Sequence, residues 1–184
     1  MEVKGSMIKQ LNDLIKTKYK SIYHQWLESI PGESKSIFSN VILATNWYDI
    51  KYSLYEPTIK AAELLQIDPK DFFWETGDYA AENGLKGIYK IFIRVATPHF
   101  LLDRSRNIVV TFYKNTAVDV TKAEKNEGEL KYSGFPPEYE LLMYRIAGWI
   151  NSSMRFTKTT NVVTKLENID LTENSSFSVN IKWD

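Results

Sequence analysis

Two histidines, His24 and His99, are the side chains in this 184-residue chain whose ordinary pKa suits proton transfer near neutral pH. A serine hydrolase would need one of them as general base, but neither stands in a recognised base or nucleophile motif, and no Gly-x-Ser-x-Gly turn occurs. With no cysteine, thiol nucleophiles, disulfides and thiolate metal sites are all excluded. Asp68 with Asp71, or Glu75 with Asp78, could form paired carboxylates, yet acids in the first turn of a helix are accounted for by capping and the helix dipole. The eight glycines are scattered and build no phosphate-cradling loop. The catalytic inventory therefore predicts no enzyme, and no metal ligand set.

Two further groups could bind a ligand. Arg94, Arg104, Arg106 and Lys114 form a basic run that could meet an anion, but Asp103 is interleaved and a solvated helical face accounts for it. The aromatics Tyr89, Phe92, Phe100, Phe112 and Trp149 fall at helical spacings that suit a plain core and would equally line a pocket.

The elements that must position these residues follow from periodicity and from turn chemistry. Ile8, Leu11, Ile15, Tyr19, Ile22, Trp26 and Ile30 recur at steps of three and four, predicting one long helix that ends at Pro31-Gly32. Its apolar stripe needs a partner, either the chain's own core or a second copy in a dimer. A short helix is expected between Ser34 and Asn46. Another is expected between Ile50 and Leu65, starting near Glu56 because of Pro57. Asp68-Pro69 predicts an N-cap for a helix that runs to Asn83-Gly84. From Leu85 to Val95, Ile88, Phe92 and Val95 share a helical face, and Thr97-Pro98 caps a further helix. In that last helix Leu101, Ser105, Ile108 and Phe112 keep a helical phase, which outweighs the β-branched character of residues 108–113.

Beyond residue 113 the period changes. Val118 and Val120, then Leu130 and Tyr132, alternate with polar neighbours around Asn126-Glu127-Gly128, predicting a hairpin. After Pro136-Pro137, Tyr139, Leu142, Met143, Ile146, Trp149, Ile150 and Met154 mark an amphipathic helix that packs across a sheet. Phe177, Val179, Ile181 and Trp183 alternate with Ser176, Ser178, Asn180 and Lys182, predicting a strand with one buried and one wet face. Residues 160–167 would be its hairpin partner. The fold class is α+β: N-terminal helices followed by ββαββ, with a four-stranded antiparallel sheet packed against helices. A single domain over 1–184 is expected, helical over about 7–113 and sheet-containing over about 114–184.

Composition limits the partners. Lys plus Arg equals Asp plus Glu at 23 each, so no net field draws nucleic acid or an anionic membrane. Hydrophobic residues make up 43% and aromatics 14%, enough to build a substantial core without staples. No apolar run is long enough for a signal peptide or a membrane span, which points to the cytoplasm. Gly5-Ser6-Met7 leaves open whether residues 1–6 belong to the natural chain.

The string Gly87-Ile88-Tyr89-Lys90-Ile91-Phe92-Ile93-Arg94-Val95-Ala96-Thr97-Pro98, the later Phe112-Tyr113 and Gly134-Phe135-Pro136, and the closing strand resemble a set of bacterial proteins related to heme nitric oxide/oxygen binding domains. These proteins share their architecture with four-vinyl reductase domains and transport-particle subunits. The resemblance covers about the last hundred residues in motif and the first half in layout. It implies helices against a four-stranded antiparallel sheet, with a pocket between them. In heme-binding members a helical histidine ligates iron and a Tyr-x-Ser-x-Arg motif holds the propionates. Here His99 lies near the expected histidine, but Tyr132-Ser133-Gly134-Phe135-Pro136 lacks the arginine. The cysteines of vinyl-reductase members are missing too. The resemblance thus implies a bacterial sensor that binds a small apolar molecule without heme, with Tyr89, Phe92, His99, Phe112 and Trp149 as pocket candidates. A dimerising scaffold or adaptor, acting through a homodimer or a signalling partner, and a heme-binding gas sensor using His99 stay open beside it.

Overall fold

The computed structural model describes residues 1–86, 97–157, 159–173 and 175–184. The expected Leu85-to-Val95 helix, together with Tyr89, Phe92 and Arg94, falls mostly outside them. Among the described residues, seven α-helices precede and flank a four-stranded antiparallel sheet, an α+β arrangement. No helix among them is long and apolar enough to cross a membrane.

The N-terminal half is not purely helical. A strand β1 (Glu2–Lys4) pairs antiparallel with β2 (Trp47–Asp49), and Val3 between them is fully buried. The expected single long helix is three pieces: α1 (Gly5–Thr17), a 3-10 turn (Lys20–Ile22) and α2 (Tyr23–Ser29). No glycine or proline marks the break. The amides of Lys18 and Tyr19 both bond to the Leu14 carbonyl, at 2.9 and 3.4 Å, and Tyr19 leaves helical geometry. Its hydroxyl then donates to Glu75 at 2.7 Å, a tertiary contact that a continuous helix would direct elsewhere. The apolar stripe is spent inside the chain, with Ile8, Leu11, Ile15 and Trp26 all essentially without exposure.

Helix α3 (Gly32–Ser39) leads through β2 to a π-helical turn at Lys51–Tyr55 and then α4 (Glu56–Leu65). Pro57 has no amide hydrogen to donate, and just before it the Glu56 amide bonds five residues back to Lys51, widening the turn. Asp68 accepts from the Lys70 amide at 2.8 Å and opens α5 (Pro69–Lys86), which runs two residues beyond the expected stop at Gly84. Thr97 caps α6 (Pro98–Phe112) by accepting from the Phe100 amide. The β-branched run at its end stays helical, as its phase predicts.

The hairpin β3 (Ala117–Glu124) and β4 (Glu127–Ser133) is followed by α7 (Leu142–Arg155), β5 (Val163–Asp170) and β6 (Ser176–Lys182), in the sheet order β3-β4-β6-β5. Tyr139, expected in the helix, sits in a separate 3-10 turn (Pro137–Tyr139). The wet face expected of β6 is corrected. Ser178 and Asn180 are 2% and 7% exposed, because β6 is a central strand and acids from β4 fold across it. Ser178 donates to Glu129 at 3.2 Å and Asn180 to Glu127 at 2.9 Å, so both are buried with partners.

Helix α7 lies between α5 and the sheet. The crossing with α5 is close because it is built on two glycines. A β-carbon at Gly77 would stand 1.9 Å from the Arg145 carbonyl oxygen, and one at Gly148 2.2 Å from that of Trp74. This backbone-to-backbone approach fixes one wall of the cavity described next.

Candidate functional site

Four elements meet around a cavity of about 50 Å³ whose lining is almost wholly apolar. Helix α6 contributes Leu101, Leu102, Ser105, Ile108, Val109 and Phe112, the face set by its helical phase. Helix α7 contributes Arg145, Ile146, Trp149, Ile150, Ser153 and Met154 from the opposite side. Leu130 and Tyr132 of β4 form the floor, and Met7 of α1 adds to the lining. At the floor, Tyr132 and Phe177 stack at 5.0 Å with nearly parallel rings, and Phe135 packs on Phe177 at 5.7 Å. This aromatic layer stiffens the sheet side of the cavity.

Few polar atoms face inward. The Ser105 hydroxyl donates to the Leu102 carbonyl at 2.6 Å and that of Ser153 to Trp149 at 2.7 Å, so both are turned back on their own helices. Tyr132 is fully buried, and desolvation, reinforced by neighbouring Tyr113, pushes its phenol well above the ordinary range. It therefore remains a neutral hydroxyl and supplies no phenolate. Arg145 is the exception in the lining: it is 2% exposed, its Nη1 has no hydrogen-bond partner among the described residues, and its Nη2 reaches the Met7 sulfur at 3.8 Å.

The residues singled out from sequence separate. Phe112 and Trp149 line the cavity. His99 does not: its Nε2 lies 2.9 Å from the Glu124 carbonyl oxygen and its ring meets Trp183 edge-on at 5.8 Å, at the hairpin end of the sheet. Tyr89 and Phe92 lie outside the described residues. His24 is exposed beside Tyr23. The acids are structural: Asp68 caps α5, Glu75 binds Lys18 and Tyr19, and Asp78 pairs with Arg155. The basic run disperses, with Arg104 over the Phe100 ring, Arg106 on Asp119 at 2.6 Å and Lys114 on Glu2 at 2.6 Å. No cluster of metal-ligating side chains occurs among the described residues.

Sequence reasoning passed over Arg145. A signal was present: it stands three residues after Leu142 and four before Trp149, in phase with the apolar stripe of α7. A cation at such a position is either paired inside the fold or directed at something that enters it.

No family model matches the sequence, and no curated protein matches it. Solved structures do match. An Fe(II) unliganded H-NOX protein from K. algicida superposes with a TM-score of 0.77 at 12% identity, covering 98% of this chain and 96% of that one. An H-NOX protein from S. oneidensis in the Fe(II)NO ligation state gives 0.75 at 13% identity, covering 98% and 99%. An oxygen-binding H-NOX domain related to soluble guanylate cyclases gives 0.66 at 17%, covering 98% and 92%. Helices, sheet order and the placement of α7 over the sheet together with these superpositions establish that the chain has an H-NOX-like fold.

Proposed function

We propose that this chain is a non-enzymatic sensor domain, folding as a single unit on the H-NOX-like architecture, whose cavity takes a small organic molecule in place of heme. The observation that carries the reading is the apolar cavity between α6, α7 and β4, lined also by Met7. One neighbour on this fold is described in an Fe(II)NO ligation state and another as an oxygen-binding domain, which supports a sensing role for a cavity in the same fold. Against heme stand three features of the described residues. No histidine lines the cavity, and His99 is engaged with Glu124 and Trp183. Tyr132 is followed by Gly134 and Pro136, leaving no arginine for propionates at that corner. A volume of 50 Å³ has room for roughly three water-sized groups, far short of a porphyrin.

Hemin titration and a thermal-shift panel of small organic molecules test the reading together. The expected result is no saturable Soret band, and at least one molecule that raises Tm saturably in the wild type but not in Val109→Phe, where the added ring fills the cavity. A Soret band saturating at one heme per chain, or a panel without any saturable shift, would overturn it.

A further inference from the structure

Arg145 presents a problem that the rest of the fold does not solve. A guanidinium carries five N–H donors in a fixed fork and cannot shed its proton to escape burial. Here it is 2% exposed, yet among the described residues no carboxylate pairs with it, and a thioether sulfur, a weak acceptor, is its neighbour at 3.8 Å. Among the described residues the cavity lining contains no aspartate or glutamate. Nor does residues 87–96, whose sequence holds two cations and no acid. An uncompensated buried charge costs several kcal/mol, so a fold that retains one gains when an anion arrives. Two other arginines are ion-paired, Arg106 with Asp119 and Arg155 with Asp78, and the exposed Arg104 lies over the Phe100 ring.

We infer that Arg145 is the anion anchor of the cavity, and that the ligand is a small organic monocarboxylate whose hydrocarbon body lies among Phe112, Leu130, Trp149 and Ile150. This rests on the ligand-sensing role proposed above. The carboxylate gives the guanidinium fork the bidentate partner it lacks. The apolar walls reject a second charge, which excludes dicarboxylates, and the cavity volume restricts the body to a few carbon atoms.

The test is a titration of the full chain, by calorimetry and thermal shift at pH 7, with acetate, propionate, butyrate and hexanoate, with the matching amides, and with chloride. Wild type is compared with Arg145→Met, which keeps the shape and removes the charge, and with Arg145→Lys. The expected result is saturable binding with an optimum in chain length, and amides weaker by about tenfold to a hundredfold, as loss of a charged hydrogen bond implies. Arg145→Met should bind acid and amide equally, and Arg145→Lys should keep a reduced preference for the acid. Circular dichroism verifies that each variant is folded. If neutral amides bind wild type as well as the acids, the anchor is wrong while the sensing role stands. If chloride competes as strongly as any carboxylate, the site takes inorganic anions and the monocarboxylate assignment falls. If neither acids nor amides bind, the sensing role falls, and the inference with it.

Discussion

On the outer face of the sheet, Glu127 is held by Lys122 at 2.7 Å, by Asn180 at 2.9 Å and by Lys182 at 3.6 Å, while Ser178 and Thr121 share Glu129. On the inner side, the Arg145 guanidinium at the cavity reaches the Met7 sulfur and leaves its Nη1 without a partner among the described residues. Both regions carry charge against the same four strands, but in one the Glu127 and Glu129 carboxylates find partners and in the other the charge is left waiting. Partnered charge is explained by the fold alone. Unpartnered buried charge is expensive, and its retention points outside the chain, to something that binds.

The comparison can be broken first at the cavity wall. Gly77→Leu would force a side chain against the Arg145 carbonyl, and the expected loss is about 3 kcal/mol in urea unfolding, together with loss of ligand binding. Lys131→Ala, on the exposed outer face of β4, should change stability by less than about 0.5 kcal/mol. Equal losses would mean that the two regions are not differently constrained. Next comes the buried cation itself. Without ligand, Arg145→Met should stabilise the protein by about 2 kcal/mol, because an uncompensated charge is replaced by an apolar group of similar length. Glu127→Gln should instead weaken it slightly. A marked loss in Arg145→Met would show that the guanidinium is already satisfied inside the fold.

The smallest effect sharpens the contrast through pH. Hydrogen bonds from Lys122 and Asn180, with the Lys182 charge, lower the Glu127 carboxyl from 4.5 to about 2. The folded state therefore holds this proton more weakly than the unfolded state. Its contribution is fully present above about pH 4.5 and is lost as the pH falls toward 2. Thermal unfolding between pH 5 and pH 2 should show this loss in wild type and less of it in Glu127→Gln. Carboxylate binding in the cavity should weaken as the ligand itself protonates, near the ordinary carboxyl range of about 4 to 5.

Much of this arrangement is legible in the sequence because local rules and tertiary packing agree. The Asp68-Pro69 and Thr97-Pro98 caps, the helical phase of Leu101 through Phe112, and the alternation of Phe177 through Trp183 all follow from short-range geometry. What escapes the sequence depends on long-range partners. The break at Tyr19 has no local breaker and serves a bond to Glu75, and the burial of Ser178 and Asn180 comes from acids on the neighbouring strand. At the cavity, His99 draws notice as a residue type and yet points to the hairpin end, whereas Arg145 is hidden in an apolar stripe. Its meaning emerges only from the lack of an acid across the cavity among the described residues, which no spacing within α7 could reveal.

A crystal structure of the protein equilibrated with butyrate tests the central claim most directly. The account predicts density between α6 and α7 with a carboxylate within hydrogen-bond distance of Arg145 Nη1 and its carbons against Phe112 and Trp149. A porphyrin held by His99, or a cavity that contains only water around the guanidinium, would contradict it.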